Sequence, residues 1–168
     1  SADGSTVGFE SFADHTADNP DESPEVFVHD VATGTTTQVT SSTGTYNTSP
    51  SLSGDGARVA FTSNDDHTGE NVDGNDEVFV HDTTTGISQI TSTVGSSTTA
   101  PTISADGERV VFASTGNLSG ENPSGTQQVF LDDETFGTVQ LTDASGGQTG
   151  DPDVSGDGST VVLESSQD

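Results

Sequence analysis

The residues best suited to chemistry lie in an acidic loop near the middle of the chain, with the sequence DHTGENVDGNDE. Asp73, Asn75 and Glu77 stand there at alternate positions around a glycine. Alternating oxygen ligands suit Ca²⁺ and other hard cations, which bind several carboxylate and carbonyl oxygens. Asp21 and Glu25 occupy the matching positions in an earlier copy of the loop. Any specific cation is therefore expected to bind at Asp73, Asn75 and Glu77 first, and at Asp21 and Glu25 second.

The same loop also suits a structure without a bound ion. Its spacing does not match the EF-hand pattern, and Asp and Asn side chains often close turns by bonding to their own backbone. In a later copy the three positions hold Ser124, Thr126 and Gln128, none of which is a carboxylate. A solvated acidic loop that requires no cofactor is therefore the interpretation that the sequence favours over a specific cation site.

The copies of this loop belong to a repeat that extends over the whole chain. Four related stretches, SADGSTVGF, SGDGARVAF, SADGERVVF and SGDGSTVVL, begin at residues 1, 53, 104 and 155, a spacing of 51 or 52 residues. EVFVHD at 25–30 returns at 77–82 and, with changes, as QVFLDD at 128–133. A regular spacing of this length indicates a repeat architecture.

Each complete repeat predicts four short strands, which in the second copy are PSLS, RVAFTS, EVFVHD and ISQIT. The pair Asp55-Gly56 lies between two apolar runs and tolerates the backbone of a two-residue hairpin turn. Six of the eight phenylalanines fall in two repeat columns, so we expect them in the core. Four antiparallel strands at this period indicate a β-propeller blade, whereas a sandwich or barrel requires no such period.

We therefore predict an all-β fold, a β-propeller with four-stranded antiparallel blades, of which two are complete and two partial in this chain. Residues 1–168 are expected to form one propeller segment. Blade 1 covers 1–48 and lacks its innermost strand, blade 2 covers 49–99, and blade 3 covers 100–150. Residues 151–168 supply the first two strands of blade 4. Because the chain starts inside a repeat and contains no Met, we expect a part of a longer polypeptide or an oligomer.

The order of the motifs resembles the TolB-like β-propeller repeat, in the acidic form found in proteins of salt-loving archaea. The pattern P-x-[LIV]-S-x-D-G-x-x-V-x-F is followed by TGENVDGNDEVFVHDTTTG and then by QIT, and it is strongest over 49–91. The resemblance implies a propeller that serves as an extracellular or periplasmic interaction platform. In some members of the family such a propeller is attached to a separate catalytic domain.

The charge of the chain limits its partners. Asp and Glu number 28 against 2 basic residues, Arg58 and Arg109, which gives a formal net charge of −26. Such a chain repels itself in dilute buffer, whereas the screening length falls to about 3 Å in 1 M salt. We therefore expect a protein from a halophile. Nucleic acid is not expected as a partner because phosphates require Lys and Arg, and no stretch is long and apolar enough for membrane insertion.

Catalysis is not predicted from the residues. The four histidines repeat in pairs, His15 with His67 and His29 with His81, which favours a structural role. The sequence contains no Gly-x-Ser-x-Gly elbow, no lysine and no phosphate-binding loop after a strand. Acidic residues are numerous enough, however, that a pair of carboxylates for glycoside cleavage stays open.

The predicted function is therefore a non-catalytic interaction or scaffold module, located outside the cell or at its surface. Its partner is expected to be another protein or further copies of the chain. Glycosylation sequons at Asn47 and Asn117 slightly favour the cell exterior. The alternatives are the propeller part of a secreted hydrolase with a separate catalytic domain, and a building block of a cell-surface or virion assembly.

Overall fold

The computed structural model describes residues 1–144 and 147–166, which form β-strands and no helix. No helix of the described residues is therefore long and apolar enough to cross a membrane. In chain order the strands are β1 (Thr6–Ser11), β2 (Glu25–Asp30), β3 (Thr35–Gln38), β4 (Asn47–Leu52), β5 (Arg58–Ser63), β6 (Glu77–Asp82), β7 (Gly86–Gln89), β8 (Thr98–Ile103), β9 (Arg109–Ser114), β10 (Gln128–Asp133), β11 (Gly137–Gln140), β12 (Thr149–Val154) and β13 (Val161–Ser165).

The strands pair only within their own repeat and form one antiparallel sheet for each. Strands β1 to β3 form a three-stranded sheet, β4 to β7 and β8 to β11 each form a four-stranded sheet, and β12 pairs with β13. We call these sheets blades 1 to 4. The innermost strands β4, β8 and β12 contact one another in series, so the blades stack around a shared inner side. The prediction of an all-β propeller with two complete and two partial blades is confirmed.

The hydrophobic core lies between neighbouring blades. In blade 2, Phe61 and Phe79 are fully buried, pair across β5 and β6, and stack with ring centroids 5.7 Å apart. Val26 of blade 1 packs against this pair. Phe112 and Phe130 form the same stacked pair in blade 3, where apolar residues of blade 2 cover them. The central strands are apolar on both faces because each face meets another blade.

The hairpin turns at the Asp-Gly pairs differ from the predicted two-residue form. In blade 2, the Ser53 amide donates to the Arg58 carbonyl at 2.9 Å, and the Gly56 amide donates to the Ser53 carbonyl at 3.0 Å. Asp55 accepts the Ser53 hydroxyl at 2.7 Å and closes the turn from within. Only Gly56 adopts a positive φ, of 72°. The turn is longer than predicted because the Asp side chain caps it locally, which leaves a single left-handed position.

A β-bulge interrupts the innermost strand of each blade from blade 2 to blade 4. The bulge lies at the proline of each repeat, which has no N–H for the strand ladder. The residue before that proline has a positive φ, 56° at Ser49, 54° at Ala100 and 45° at Asp151. The bulge allows a strand with an internal proline to keep its place at the inner side of the propeller.

Candidate cation loops and the joints between blades

All predicted cation ligands lie at one end of the blades, which we call the loop face. It carries the connections between the second and third strands, residues 12–24, 64–76 and 115–127, together with the connections from each outer strand to the next blade. The opposite end carries the hairpin turns and is called the turn face. Arg58 and Arg109 begin strands at the turn face, so neither basic residue of the chain contributes to the loop face.

Glu77 is fully buried at the start of β6, and its carboxylate is surrounded by hydrogen-bond donors. The Thr91 hydroxyl donates to Oε2. Oε1 accepts the Thr93 amide at 2.5 Å, the Thr93 hydroxyl at 2.6 Å and the Asn75 side-chain amide at 2.9 Å. A buried carboxylate is tolerated only when donors satisfy it, and here neutral donors do so. Glu77 therefore fastens β6 to the connection that follows the outer strand β7.

Glu25 has the same role in blade 1 and also contacts the next blade. Its carboxylate accepts the Thr40 hydroxyl, the Ser42 amide at 2.6 Å and the Ser42 hydroxyl at 2.8 Å. The side-chain amide of Asn47, at the start of β4 in blade 2, donates to Glu25 at 2.8 Å. A buried charge-assisted hydrogen bond of this kind joins the first two blades.

Gln128 takes the place of this glutamate in blade 3. Its Oε1 accepts the Thr142 hydroxyl at 2.7 Å and the Ala144 amide at 3.1 Å, while its Nε2 donates to the Ala144 carbonyl at 3.2 Å. Ala144 occupies the position held by Thr93 in blade 2 and has no hydroxyl to donate. The neutral amide of Gln128 fits this site because its Nε2 group faces the Ala144 carbonyl, which accepts a hydrogen bond. The loss of the carboxylate in this repeat is therefore matched by a change in its surroundings.

The two predicted aspartate ligands accept bonds from glycine backbone amides. Asp73 Oδ2 accepts the Gly95 amide at 3.1 Å, and Asp21 Oδ2 accepts the Gly44 amide at 3.0 Å. The bond from Gly44 is the main cause that holds the pKa of Asp21 below its ordinary value. Both aspartates are exposed, and each ties the long loop of its blade to the connection leading to the next blade.

Asn75 directs its side-chain Nδ2 to Glu77 at 2.9 Å, to the Thr93 hydroxyl at 2.7 Å and to the Ser96 carbonyl at 2.9 Å. The structure thus brings Asn75 and Glu77 into direct contact. Among residues 1–144 and 147–166, no three or more His, Asp or Glu side chains are grouped so that they could hold a metal ion. The cation site at Asp73, Asn75 and Glu77 stays a prediction.

A buried asparagine organises each long loop, and the sequence analysis missed it. In blade 2, the Asn71 amide side chain donates to the carbonyls of Asp65 at 3.3 Å and Asn75 at 2.9 Å, while its backbone amide donates to Asp66 Oδ1 at 2.9 Å. Asn19 and Asn122 are buried at the same position in blades 1 and 3. Their recurrence in the segments DNPD, ENVD and ENPS was the available signal.

His67 is packed into the loop face of blade 2. Its ring meets Phe61 and Phe79 edge to face, with centroids 5.8 and 5.2 Å away. Its Nε2 lies 2.8 Å from Asn47 Oδ1, and burial lowers the pKa of the imidazole below its ordinary value. Leu118 replaces this histidine in blade 3. The predicted structural role fits these contacts, since the ring fills space between phenylalanines and orients Asn47.

Arg58 joins blades 2 and 3 at the turn face. Its Nε donates to Asp82 of its own blade at 2.8 Å, and its Nη1 contacts the Gly107 carbonyl at 2.9 Å and the Glu134 carboxylate of blade 3. Arg109 pairs with Asp133 at 2.9 Å in the equivalent position. The planar guanidinium can bind several acceptors at once, so each arginine holds a strand end and the following hairpin together.

Backbone hydrogen bonds also connect successive hairpin turns. The Ala2 amide donates to the Gly54 carbonyl at 2.8 Å, Gly54 donates to Ala105 at 2.9 Å, and Ala105 donates to Gly156 at 2.8 Å. A Cβ on Gly54 would lie 2.8 Å from the Ala105 Cβ. The repeated turn therefore has two functions, because it closes a hairpin and contacts the next one.

The two glycosylation sequons differ in accessibility. Asn47 is fully buried, and its side-chain nitrogen is bonded to Glu25 and to the Ser42 hydroxyl at 2.8 Å each. Asn117 is exposed in the loop of blade 3, where its Oδ1 accepts the Asn122 amide at 2.7 Å. Only the second side chain is open to an enzyme in the folded protein.

Antiparallel sheets that repeat along the chain, stack through their inner strands and connect turn to turn define a β-propeller repeat module. Residues 1–168 match the model of the PD40 family, described as the TolB beta propeller domain. The chain belongs to this TolB beta propeller family. No curated protein matches the sequence.

Solved structures with the same fold include two TolB proteins. TolB from Acinetobacter baumannii is 23% identical, with a TM-score of 0.65 over 96% of this chain and 35% of that protein. A putative TolB from Agrobacterium tumefaciens is 21% identical, with a TM-score of 0.66 over 100% of this chain and 57% of that protein. An oligogalacturonate lyase from Vibrio parahaemolyticus is 15% identical, with a TM-score of 0.64 over 97% of this chain and 43% of that protein. The chain thus spans between 35% and 57% of the length of these proteins.

Proposed function

We propose that the chain is a non-catalytic interaction or scaffold β-propeller that works outside the cell or at its surface. The observation that carries this proposal is that the buried carboxylates of Glu25 and Glu77 are already hydrogen-bonded within the protein. Glu25, Glu77 and Asn47 are bonded to partners in their own or neighbouring blades, and His67 is packed between phenylalanines. A general acid, base or nucleophile must instead be able to reach a substrate.

Membership of the TolB beta propeller family supports a location outside the cell or at its surface, because the TolB-like repeat implies an extracellular or periplasmic interaction platform. Two of the similar structures are TolB proteins. The net charge of −26 supports an origin in a salt-rich environment, where surface carboxylates repel one another less. The same charge disfavours nucleic acid as a partner. The proposed partner is a protein, either of a different kind or a further copy of this chain.

The second candidate is the propeller part of a secreted hydrolase. Structural similarity also extends to a prolyl endopeptidase, with a TM-score of 0.56 and 15% identity over 86% of this chain and 23% of that chain. At this identity the similarity concerns the fold, and a propeller fold serves many functions. In this candidate the catalytic groups would lie outside residues 1–168.

Activity assays on the complete gene product separate the two candidates. The polypeptide that carries residues 1–168 is tested in molar salt for cleavage of peptides and of acidic oligosaccharides. The non-catalytic proposal expects no turnover that depends on this segment. Turnover that disappears in His67→Leu or Glu25→Gln while the fold and the other domains remain intact would contradict it. Turnover that depends only on residues outside the segment would support the hydrolase candidate.

A further inference from the structure

Two amide oxygens in the long loop of blade 2 are buried without a donor. Asn71 is only 2% exposed, and neither its Oδ1 nor the buried Oδ1 of Asn75 accepts a hydrogen bond from a described residue. The equivalent oxygens in the other loops are satisfied. Asn19 Oδ1 lies 3.5 Å from the Ser23 hydroxyl, and Asn122 Oδ1 lies 3.3 Å from the Ser124 hydroxyl.

Blade 1 shows which atoms converge at this point. The Ser23 hydroxyl lies 3.5 Å from Asn19 Oδ1 and 3.2 Å from Asp21 Oδ1. Blade 2 has Asn75 at the position of Ser23 and Asp73 at the position of Asp21. Both aspartates are anchored alike through Oδ2, by backbone amides at 3.0 and 3.1 Å. Oδ1 of Asp73 is therefore expected to face the place that a hydroxyl fills in blade 1.

The orientation of the two asparagines agrees with this. Nδ2 of Asn75 is fixed by three acceptors, Glu77, Thr93 and Ser96, so its Oδ1 is directed away from them. Nδ2 of Asn71 is fixed by two backbone carbonyls of the same loop. Because an amide is planar, neither side chain can turn its oxygen away without losing these bonds.

We propose that Asn71 Oδ1, Asp73 Oδ1 and Asn75 Oδ1 bind one hard cation of the Ca²⁺ type. Carboxylate and amide oxygens are the ligands such ions prefer, and the exposed Asp73 leaves a path for entry and for bound water. Glu77 is not a ligand, because protein donors occupy both of its oxygens. With a single carboxylate the site is weak, with a dissociation constant on the order of 10⁻⁴ to 10⁻³ M.

The site is specific to blade 2. In blade 1 the Ser23 hydroxyl already serves the converging oxygens. In blade 3 the three positions hold Asn122, Ser124 and Thr126, which bond to one another and supply no carboxylate. This inference does not depend on whether the propeller is catalytic.

Calorimetry with CaCl₂ on the full chain in molar KCl tests the proposal, since the monovalent salt screens diffuse binding to the acidic surface. The parent is expected to bind one Ca²⁺ saturably. Asn75→Ser installs the residue of blade 1 and should reduce the affinity at least tenfold. Glu70→Gln removes an exposed carboxylate from the same loop and should leave binding unchanged. Ser23→Asn should create a second site in blade 1, which doubles the stoichiometry.

Thermal unfolding provides a second measurement, because Ca²⁺ should raise the midpoint of the parent but not that of Asn75→Ser. Absence of saturable binding in the folded parent would overturn the proposal. Oδ1 of Asn71 and Oδ1 of Asn75 would then be hydrogen-bonded to water. A loss of affinity in Glu70→Gln without a loss in Asn75→Ser would also overturn it, since binding would then follow total charge. If Ser23→Asn does not fold, the comparison of the other two variants still decides.

Discussion

Asn47 of blade 2 donates a 2.8 Å hydrogen bond to the buried carboxylate of Glu25 in blade 1. The other end of the same amide, Oδ1, lies 2.8 Å from His67 Nε2. Because Nδ2 must face the carboxylate, Oδ1 must face the imidazole, which then donates its proton. The first two blades are thus joined by a chain of three side chains in which each orientation determines the next.

We expect substitutions of Asn47 to destabilise the fold in a graded way. Asn47→Ala removes a donor from a buried carboxylate and should cost about 1–3 kcal/mol. Asn47→Asp keeps the shape but places a second carboxylate against Glu25, so it should cost more than Asn47→Ala. Denaturant unfolding in molar salt, followed by the fluorescence of Tyr46, measures both.

Thr98→Ala, at the same position in blade 3, is the control. It should cost less, because the Thr98 hydroxyl is bonded to the Ser114 hydroxyl and not to a carboxylate. Equal stability of Asn47→Asp and the parent would contradict this account.

The glutamate of blade 2 and the glutamine of blade 3 should not be interchangeable. Glu77→Gln turns an N–H group toward donors of Thr93, and Gln128→Glu turns a carboxylate oxygen toward the Ala144 carbonyl. Each change leaves a buried group unsatisfied and should cost about 1–3 kcal/mol. Adding Ala144→Thr to Gln128→Glu supplies the hydroxyl found in blade 2 and should restore part of the loss. A neutral Gln128→Glu, or a double variant no better than the single one, would show that these surroundings do not select the residue.

The blades could be predicted from the sequence because local patterns determine them. Alternating apolar residues, a fixed period and turn residues at constant positions specify strands and their order. The phenylalanine columns predicted the core in large part: Phe27, Phe61, Phe79, Phe112 and Phe130 are fully buried, whereas Phe9 of blade 1 is only half-buried. The turn at Asp55-Gly56 was predicted too short because the two-residue rule does not include the hydrogen bond from the Ser53 hydroxyl to the Asp55 carboxylate.

The role of the acidic loop could not be derived in the same way. The sequence shows that Asp73 and Glu77 carry oxygens at alternate positions, but it does not show which oxygens other segments already occupy. Apart from the Asn75 side chain, the donors to Glu77 come from Thr91 and Thr93, beyond the next strand. Asn71 was overlooked because an asparagine between acidic residues suggests a solvated loop, whereas the structure buries it.

Arg58 should contribute more to stability than Arg109. Arg58 bonds to two carboxylates, one in its own blade and one in blade 3, whereas among the described residues Arg109 pairs with one carboxylate, that of Asp133. We expect Arg58→Ala to destabilise the fold slightly more than Arg109→Ala, and the difference is small because the pairs are partly exposed. Arg58→Lys should recover less than half, since lysine lacks the planar fork. A double-mutant cycle of Arg58 and Glu134 measures the coupling across the blades, and a coupling energy of zero would contradict the role as a joint.

The stability of the fold should rise steeply with salt. With a net charge of −26, carboxylates repel one another in dilute buffer, and added KCl screens that repulsion. Thermal unfolding from dilute buffer to molar KCl measures the effect. A variant with Asp18→Asn, Glu70→Gln and Glu121→Gln removes three exposed carboxylates of the loop face and should show a flatter dependence. A midpoint that does not change with salt would remove the support for a halophilic origin.

Tyr46 should ionise at unusually high pH. Its hydroxyl donates to the Asp76 carboxylate, and this bond, followed by burial, raises the pKa of Tyr46 to about 12 from an ordinary value of 10.0. The bond therefore stabilises the fold fully below pH 10, and its contribution is lost as the pH rises through 12. Because the chain has 1 Tyr and no Trp, the near-ultraviolet absorbance of tyrosinate reports this residue alone.

Two variants test the cause of this high pKa. Asp76→Asn keeps an acceptor but removes the charge, so the midpoint of the tyrosine titration should fall toward 10, whereas Glu70→Gln should leave it in place. A parent midpoint already at the ordinary value, in a protein still folded by circular dichroism, would show that the bond between Tyr46 and Asp76 does not form.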